Sequence, residues 1–308
     1  MSLAILSMLL ISGTLGLWII RIQPTLRFTT LSGAGYWLML GLVFWFIVTS
    51  LEVWCGENHA YSLISRAHYL SITLMLSPLV SVLGAKRPGI RVWNVFVVIP
   101  MLLMLNWPLI AELFGTPPNQ SLNLEPPALM GVIVVLLMVL GNYFGTRLTL
   151  PAMMYCLAMA IALSTCSESL PIPFRSPLLV RAFSGILVCS SLFLMSWRMN
   201  SAANDRRGYE RLWLDFRDWF GILWTRRVME RLNQSAESEN WCVRLSLEGF
   251  VWEDDLAEER RQETLIKMDH AFRWIFRRFV DEGWIDERIQ RTETEESPDI
   301  TAGPVQID

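Results

Sequence analysis

Seven apolar runs fill the first 197 residues of this chain, and the short connections between them restrict what it can fold into. The runs cover 3–20, 35–51, 67–83, 92–114, 128–144, 148–166 and 178–197. Each is close to the roughly 17–25 residues with which a helix crosses a bilayer. They predict an all-α polytopic membrane protein of about seven transmembrane helices over residues 1–199.

The connection Leu83-Gly84-Ala85-Lys86-Arg87-Pro88-Gly89-Ile90-Arg91 orients the set. It is too short to be a domain and carries three cations, so the positive-inside rule places it in the cytoplasm. The other connections then alternate: Arg21 and Arg27 inside, 52–66 outside, 115–127 outside without a basic residue, Arg147 inside, 167–177 outside, Arg198 inside. The expected product is a multi-pass protein of the cell's inner (cytoplasmic) membrane, N-terminus outside and C-terminus cytoplasmic. No Lys or Arg precedes the first run while Arg21 and Arg27 follow it, which suits a retained span better than a cleaved signal peptide. The tight 146–150 connection is the weakest boundary; a re-entrant pair there would lower the span count by two. Pro151 suits the first turn of the next helix, where its missing N–H costs nothing.

Charge separates the chain into unlike parts. Residues 1–197 hold nine basic and five acidic residues, and the remainder holds 17 basic and 24 acidic ones. An acidic C-terminal part argues against nucleic acid as a partner. No Asp, Lys or Arg falls in the middle of a run, which lowers a transporter reading, because ion-coupled transport uses such buried charges.

Residues 200–290 predict a small cytoplasmic α+β module of helix, strand or hairpin, and helix. From Asp205 to about Asn233, Tyr209, Leu212, Trp213, Phe216, Trp219, Phe220, Leu223 and Val228 recur at helical spacing, with an arginine-rich opposite face. Two readings stand side by side. Trp213, Arg217, Trp219, Arg226 and Arg227 meet the membrane surface or a partner, or the aromatic face is the core of the module. Residues 241–252 alternate as a half-buried strand that Glu248-Gly249 turns. Such a strand or hairpin is marginal alone, so its edge predicts completion by a protein partner or a second copy. A second helix carries Leu265, Met268, Phe272, Ile275, Phe276 and Phe279 and stops at Gly283. The acidic tail 291–308 reads as disordered.

The richest chemical cluster of the membrane part is the outer stretch Glu52, Glu57, His59, Arg66 and His68. Two histidines with carboxylates nearby suit a ligand or pH sensor, or a haem ligand; the plainer reading pairs Arg66 with Glu52 or Glu57 at the water interface. In the fourth run Pro100, Asn106 and Pro108 predict a kinked helix. Asn106 then either lines a cavity or bonds across to a neighbour. Cys55 and Cys166 fall on the same side and are candidates for a disulfide. Cys156 and Cys189 read as small hydrophobes. No cysteine or histidine spacing supports a metal site.

The run from Trp37-Leu38 to Leu51-Glu52, with Arg66, Tyr69-Leu70 and Ser77-Pro78, is similar to the early spans of the seven-span sensor modules that precede bacterial histidine kinases. The resemblance covers the second and third spans and would imply a sensing role. The extension, however, carries neither a phosphoacceptor helix with an ATP-binding domain nor a cyclase.

No phosphate-binding glycine loop, nucleophile elbow or kinase signature is present. The residues therefore favour a non-catalytic integral membrane protein, an accessory, assembly or scaffold subunit that docks a cytoplasmic partner. The alternatives are a seven-span sensor using the Glu52–His68 region and a membrane enzyme or haem- or lipid-binding protein. No cofactor is expected, haem being the one weighed.

Overall fold

The computed structural model describes residues 2–55, 61–87, 89–115, 122–167, 176–205, 208–252 and 258–290. Among the described residues, six helices are long and apolar enough to cross a membrane: Leu3–Leu26, Ser32–Trp54, Ser62–Leu83, Pro126–Tyr143, Thr149–Cys166 and Pro177–Ser201. The architecture fits an all-α membrane protein with a small two-stranded sheet in its C-terminal part.

The helices are named in chain order. α1 runs Leu3–Leu26 and winds its Trp18–Ile22 turn as a π-helix. α2 is Ser32–Cys55 and α3 is Tyr61–Leu83. α4, Ile90–Leu105, is shorter than the six, and α5 follows as Trp107–Gly115. α6 is Pro126–Tyr143, α7 is Thr149–Leu163 with a 3-10 turn over Ser164–Cys166, and α8 is Pro177–Asp205. α2 packs most extensively on α3, α7 on α8, and α1 lies against both α8 and α2. The bundle core includes Leu42, Trp45, Tyr69, Ile72 and Met75, all fully buried.

The kink expected in the fourth run is a break. Asn106 caps α4 with its own side chain bonded back to the Leu102 carbonyl at 2.8 Å and across to the Thr73 hydroxyl at 3.0 Å. Pro108, in the first turn of α5, needs no N–H partner there. Between α6 and α7 the tight connection is held by threonines: the Thr146 and Thr149 hydroxyls both donate to the Tyr143 carbonyl, at 2.7 and 2.9 Å.

After α8 comes α9, Gly208–Ser238, which is two helices joined at Gly221 (φ 76, ψ 176). Its first half is the centre of the C-terminal module. A hairpin of β1, Val243–Leu245, and β2, Phe250–Trp252, pairs antiparallel in the register Arg244 to Val251. α10, Glu258–Phe276, and α11, Glu282–Gln290, complete the module. Phe216 joins these elements, with ring centroids 4.6 Å from Phe220, 4.7 Å from Phe276 and 5.2 Å from Phe279.

The amphipathic reading of α9 is corrected here, because both faces of its first half are buried. Arg211 and Arg288 converge on the buried Asp215 carboxylate at 3.8 and 3.0 Å, and Arg217 pairs with Asp218 at 3.0 Å. Buried charges of this kind are stable only when paired and hydrogen-bonded.

The module is fixed to one end of the bundle. Thr30 N–H donates to the Phe279 carbonyl at 2.8 Å and Asp281 N–H to the Phe28 carbonyl at 2.9 Å, around a bridge between Thr29 and Val280. Arg87 N–H donates to the Arg278 carbonyl at 2.7 Å, and its guanidinium reaches Asp281, also at 2.7 Å. Trp224 donates from its indole N–H to the Val82 carbonyl at 3.2 Å. At the opposite end Leu124 N–H donates to the Cys166 carbonyl at 2.9 Å, tying the entry to α6 to the close of α7.

Candidate functional site

At the bundle end away from the module, α1, α2, α3 and α8 bring polar side chains together inside an apolar interior. Arg181, in the first turns of α8, pairs with Glu52 near the end of α2 at 2.7 Å, its side chain only 1% exposed and that of Glu52 11%. His68 of α3 is fully buried, with its ring edge-on to Trp45 at 4.8 Å between centroids. Gly185, one turn beyond Arg181, lets α8 come close. A Cβ at Gly185 would meet Ser7 Oγ at 2.6 Å and Trp45 Nε1 at 3.4 Å.

Three polar atoms in this cluster, Ser7 Oγ, Trp45 Nε1 and His68 Nε2, have no hydrogen-bond partner among the described residues. The great majority of buried polar groups in proteins are hydrogen-bonded, so an orphaned group needs an explanation such as an ordered water or ligand. Here the indole supplies a donor, the hydroxyl a donor and acceptors, and the imidazole nitrogen either role. Among the described residues the set supplies unpaired donors and acceptors and no nucleophile hydrogen-bonded to a base.

Of the residues singled out from sequence, Glu52 and His68 join this cluster. Arg66 is half-buried two positions before His68. Glu57 and His59 lie outside the described residues. Glu52 is bonded to Arg181, a partner the sequence reading did not assign to it. Arg181 escaped notice because it sits inside an apolar run; its signal is the lone cation four residues into that run, for which Glu52 is the complement. Asn106 belongs elsewhere, on Thr73. A groove of about 920 Å³ beside it is walled by α4, α5 and α6 residues such as Leu103, Pro108 and Gly131. His68 does not line that groove.

Cys166 is a free thiol with no exposed surface, so the disulfide considered with Cys55 is not formed in this structure. Its sulfur is turned into the packed 3-10 turn that ends α7, 3.7 Å from the Thr165 hydroxyl. The thiol of Cys55 lies outside the described residues, as does the tail 291–308. Among the described residues no group of three His, Cys, Asp or Glu side chains is placed to hold a metal ion.

In the module, Trp213 and Arg217 are not surface contacts. The Trp213 indole donates to the Ser246 carbonyl at 2.8 Å and Arg217 to the Leu247 carbonyl at 2.7 Å, so both hold the hairpin turn. The edge of β1 is partly closed as well. The Asn233 side chain accepts from Leu245 N–H at 2.8 Å and donates to its carbonyl at 3.0 Å, standing in for a neighbouring strand. Trp219 is half-buried under the Tyr143 hydroxyl. Arg226 and Arg227 are exposed, the first beside Glu230 at 3.6 Å and the second 5.1 Å over the Trp224 ring.

An apolar cavity of about 130 Å³ lies deeper in the bundle, among Trp18, Pro78, Val139, Tyr155, Leu192 and Trp219. It has room for a few methylene groups and lacks a charged wall.

No protein-family model matches the chain, and no match is found among curated proteins or solved structures.

Proposed function

We propose that this chain is a non-catalytic, multi-pass inner-membrane subunit that presents its C-terminal module as a fixed cytoplasmic surface for a partner protein. The observation that carries the reading is the bonding of all three short basic connections to the module. The first, after Arg27, reaches it through Thr30 and Phe28; the second through Arg87; the third through Arg147, whose N–H faces the Asp218 carboxylate at 3.4 Å. Connections rich in Arg and Lys stay on the cytoplasmic side. Their shared end with the module supports a cytoplasmic C-terminus, an outer N-terminus and seven passages, with α4 and α5 together as the fourth.

A module bonded at so many points moves little relative to the spans, which suits a scaffold or assembly subunit. Ile266, at 74% exposed, and Val251, at 58%, offer apolar contacts on its outer face. The test is native mass spectrometry of the full-length protein extracted in mild detergent from its own membranes. The expected result is a heteromeric mass that is lost in Ile266→Asp with Val251→Asp. A monomer or homodimer carrying an added small-molecule mass would overturn the scaffold reading.

That outcome would favour a second reading, a sensor. Its specific support is the trio of orphaned atoms at Ser7, Trp45 and His68 beside the Arg181–Glu52 pair, together with the bonds that tie the bundle to the module.

A further inference from the structure

Where the module meets the bundle, four cationic residues from three separate elements line one pocket of about 410 Å³, with Arg227 lying 5.1 Å over the Trp224 ring of the wall and Arg278 4.8 Å over the Trp274 ring beside it. Lys86 comes from the connection after α3, Arg227 and Arg231 from the second half of α9, and Arg278 from the turn after α10. None of the four makes a salt bridge among the described residues. The wall's one carboxylate, Glu230, lies 3.6 Å from Arg226, which is outside the wall. Aromatic rings of Trp224 and Phe279, 5.1 Å apart, contribute to the same wall.

Four like charges drawn into one concavity repel each other, and folding accepts that cost only where other interactions fix the walls. Here they do: Trp224 is bonded to Val82, and the Arg278 carbonyl accepts from Arg87 N–H. The Lys86 ammonium registers the crowding. It is held below the usual lysine value by partial burial first, then by Arg278, Arg231 and Arg227.

We propose that this pocket binds a phosphate-type anion, the oxyanion of a phospholipid headgroup or of a soluble phosphorylated solute. Three guanidinium groups offer planar pairs of donors that match phosphate oxygens, and the ammonium adds a point charge. The pocket opens beside Val82 and Lys86, where α3 ends, which is the depth at which a headgroup would lie if α3 spans the membrane as proposed. Anionic lipid near such a surface attracts Lys and Arg.

The full-length protein tests this in two arms. In nanodiscs of zwitterionic lipid, pyrophosphate is titrated by equilibrium dialysis; in detergent, retention of added phosphatidylglycerol is counted by native mass spectrometry. The expected result is binding in one arm or both, weakened at least tenfold in Lys86→Gln with Arg231→Gln. It should be unchanged in Arg244→Gln with Arg260→Gln, which removes equal charge elsewhere, and kept in Lys86→Arg. Lipid retention identifies a headgroup, and pyrophosphate binding alone identifies a soluble ligand. Binding in neither arm, or equal binding by all the variants, overturns the proposal. The lipid arm rests on the topology proposed above and the pyrophosphate arm does not. A failed topology therefore leaves pyrophosphate bound, whereas a failed site loses both.

Discussion

Asn142, near the end of α6, closes over Gly221, the residue at which α9 changes direction. Its side-chain oxygen accepts the Leu223 N–H at 3.1 Å, and a Cβ at Gly221 would stand 2.2 Å from its amide nitrogen. At φ 76 and ψ 176, Gly221 occupies a region open essentially to glycine alone. Gly221→Ala is therefore expected to destabilise the protein by about 3 kcal/mol or more, from backbone strain and the clash together. Asn142→Ala, which leaves only an unpaired N–H, should cost about 1–2 kcal/mol. Apparent melting temperatures in detergent should rank wild type above Asn142→Ala, and Asn142→Ala above Gly221→Ala.

The Arg181–Glu52 pair is buried, so removing one partner takes a 2.7 Å ion pair away from a buried charge. Arg181→Met or Glu52→Gln alone should cost about 3–5 kcal/mol. The double variant should recover part of that loss, since the two side chains are coupled through this contact. A thermal-shift comparison of the two single variants with the double one checks this; a double variant that loses the sum of the single losses would contradict it.

Tyr209 gives the module a pH dependence of definite sign. Burial raises its phenol above the ordinary value of 10.0, helped by the bond its hydroxyl donates to Asp269 at 2.8 Å and opposed by the nearby Arg273. The folded state thus keeps a proton that the unfolded chain releases above about pH 10. The stability from this group is complete below that pH and falls as pH rises. Alkaline denaturation followed by circular dichroism should start at higher pH in Tyr209→Phe than in wild type, although Tyr209→Phe loses the Asp269 bond near neutrality.

The Asn233 side chain accounts for part of the edge of β1. Asn233→Ala frees both backbone groups of Leu245, and about 1–2 kcal/mol of stability should be lost. Amide exchange at Leu245 should quicken, while exchange in the α7 interior should not change.

The membrane runs were legible in the sequence because spanning a bilayer needs long apolar stretches, and six helices follow them closely. The fourth run was legible as irregular through Pro100, Asn106 and Pro108. Its outcome, a break that Thr73 stabilises, depends on a neighbour 33 positions away in the chain. The candidate site was half legible. Glu52 and His68 stood out by type, but Ser7, Trp45 and Gly185 are ordinary membrane residues that matter only because α8 packs on α1 and α2. The C-terminal module misled most. Helical spacing marked one face of α9 as apolar, and the opposite face looked solvated because charge usually is. Asp215 and Asp218 instead pair with Arg211, Arg288 and Arg217 and bury that face too. No local pattern in α9 shows that α11 will supply Arg288.

The module is joined to the same end of the bundle as the basic connections, and the proposed topology depends on that junction. Thr29 and Val280 form an antiparallel bridge flanked by the bonds from Thr30 to Phe279 and from Asp281 to Phe28, the non-hydrogen-bonded kind of pair in which the two Cα atoms come to about 4.5 Å. That is within the reach of a disulfide. In native membranes, with the other cysteines replaced, Thr29→Cys and Val280→Cys should oxidise readily and lose both maleimide-labelling sites until a reductant is added. Two thiols that stay free under oxidant and label independently would contradict the account.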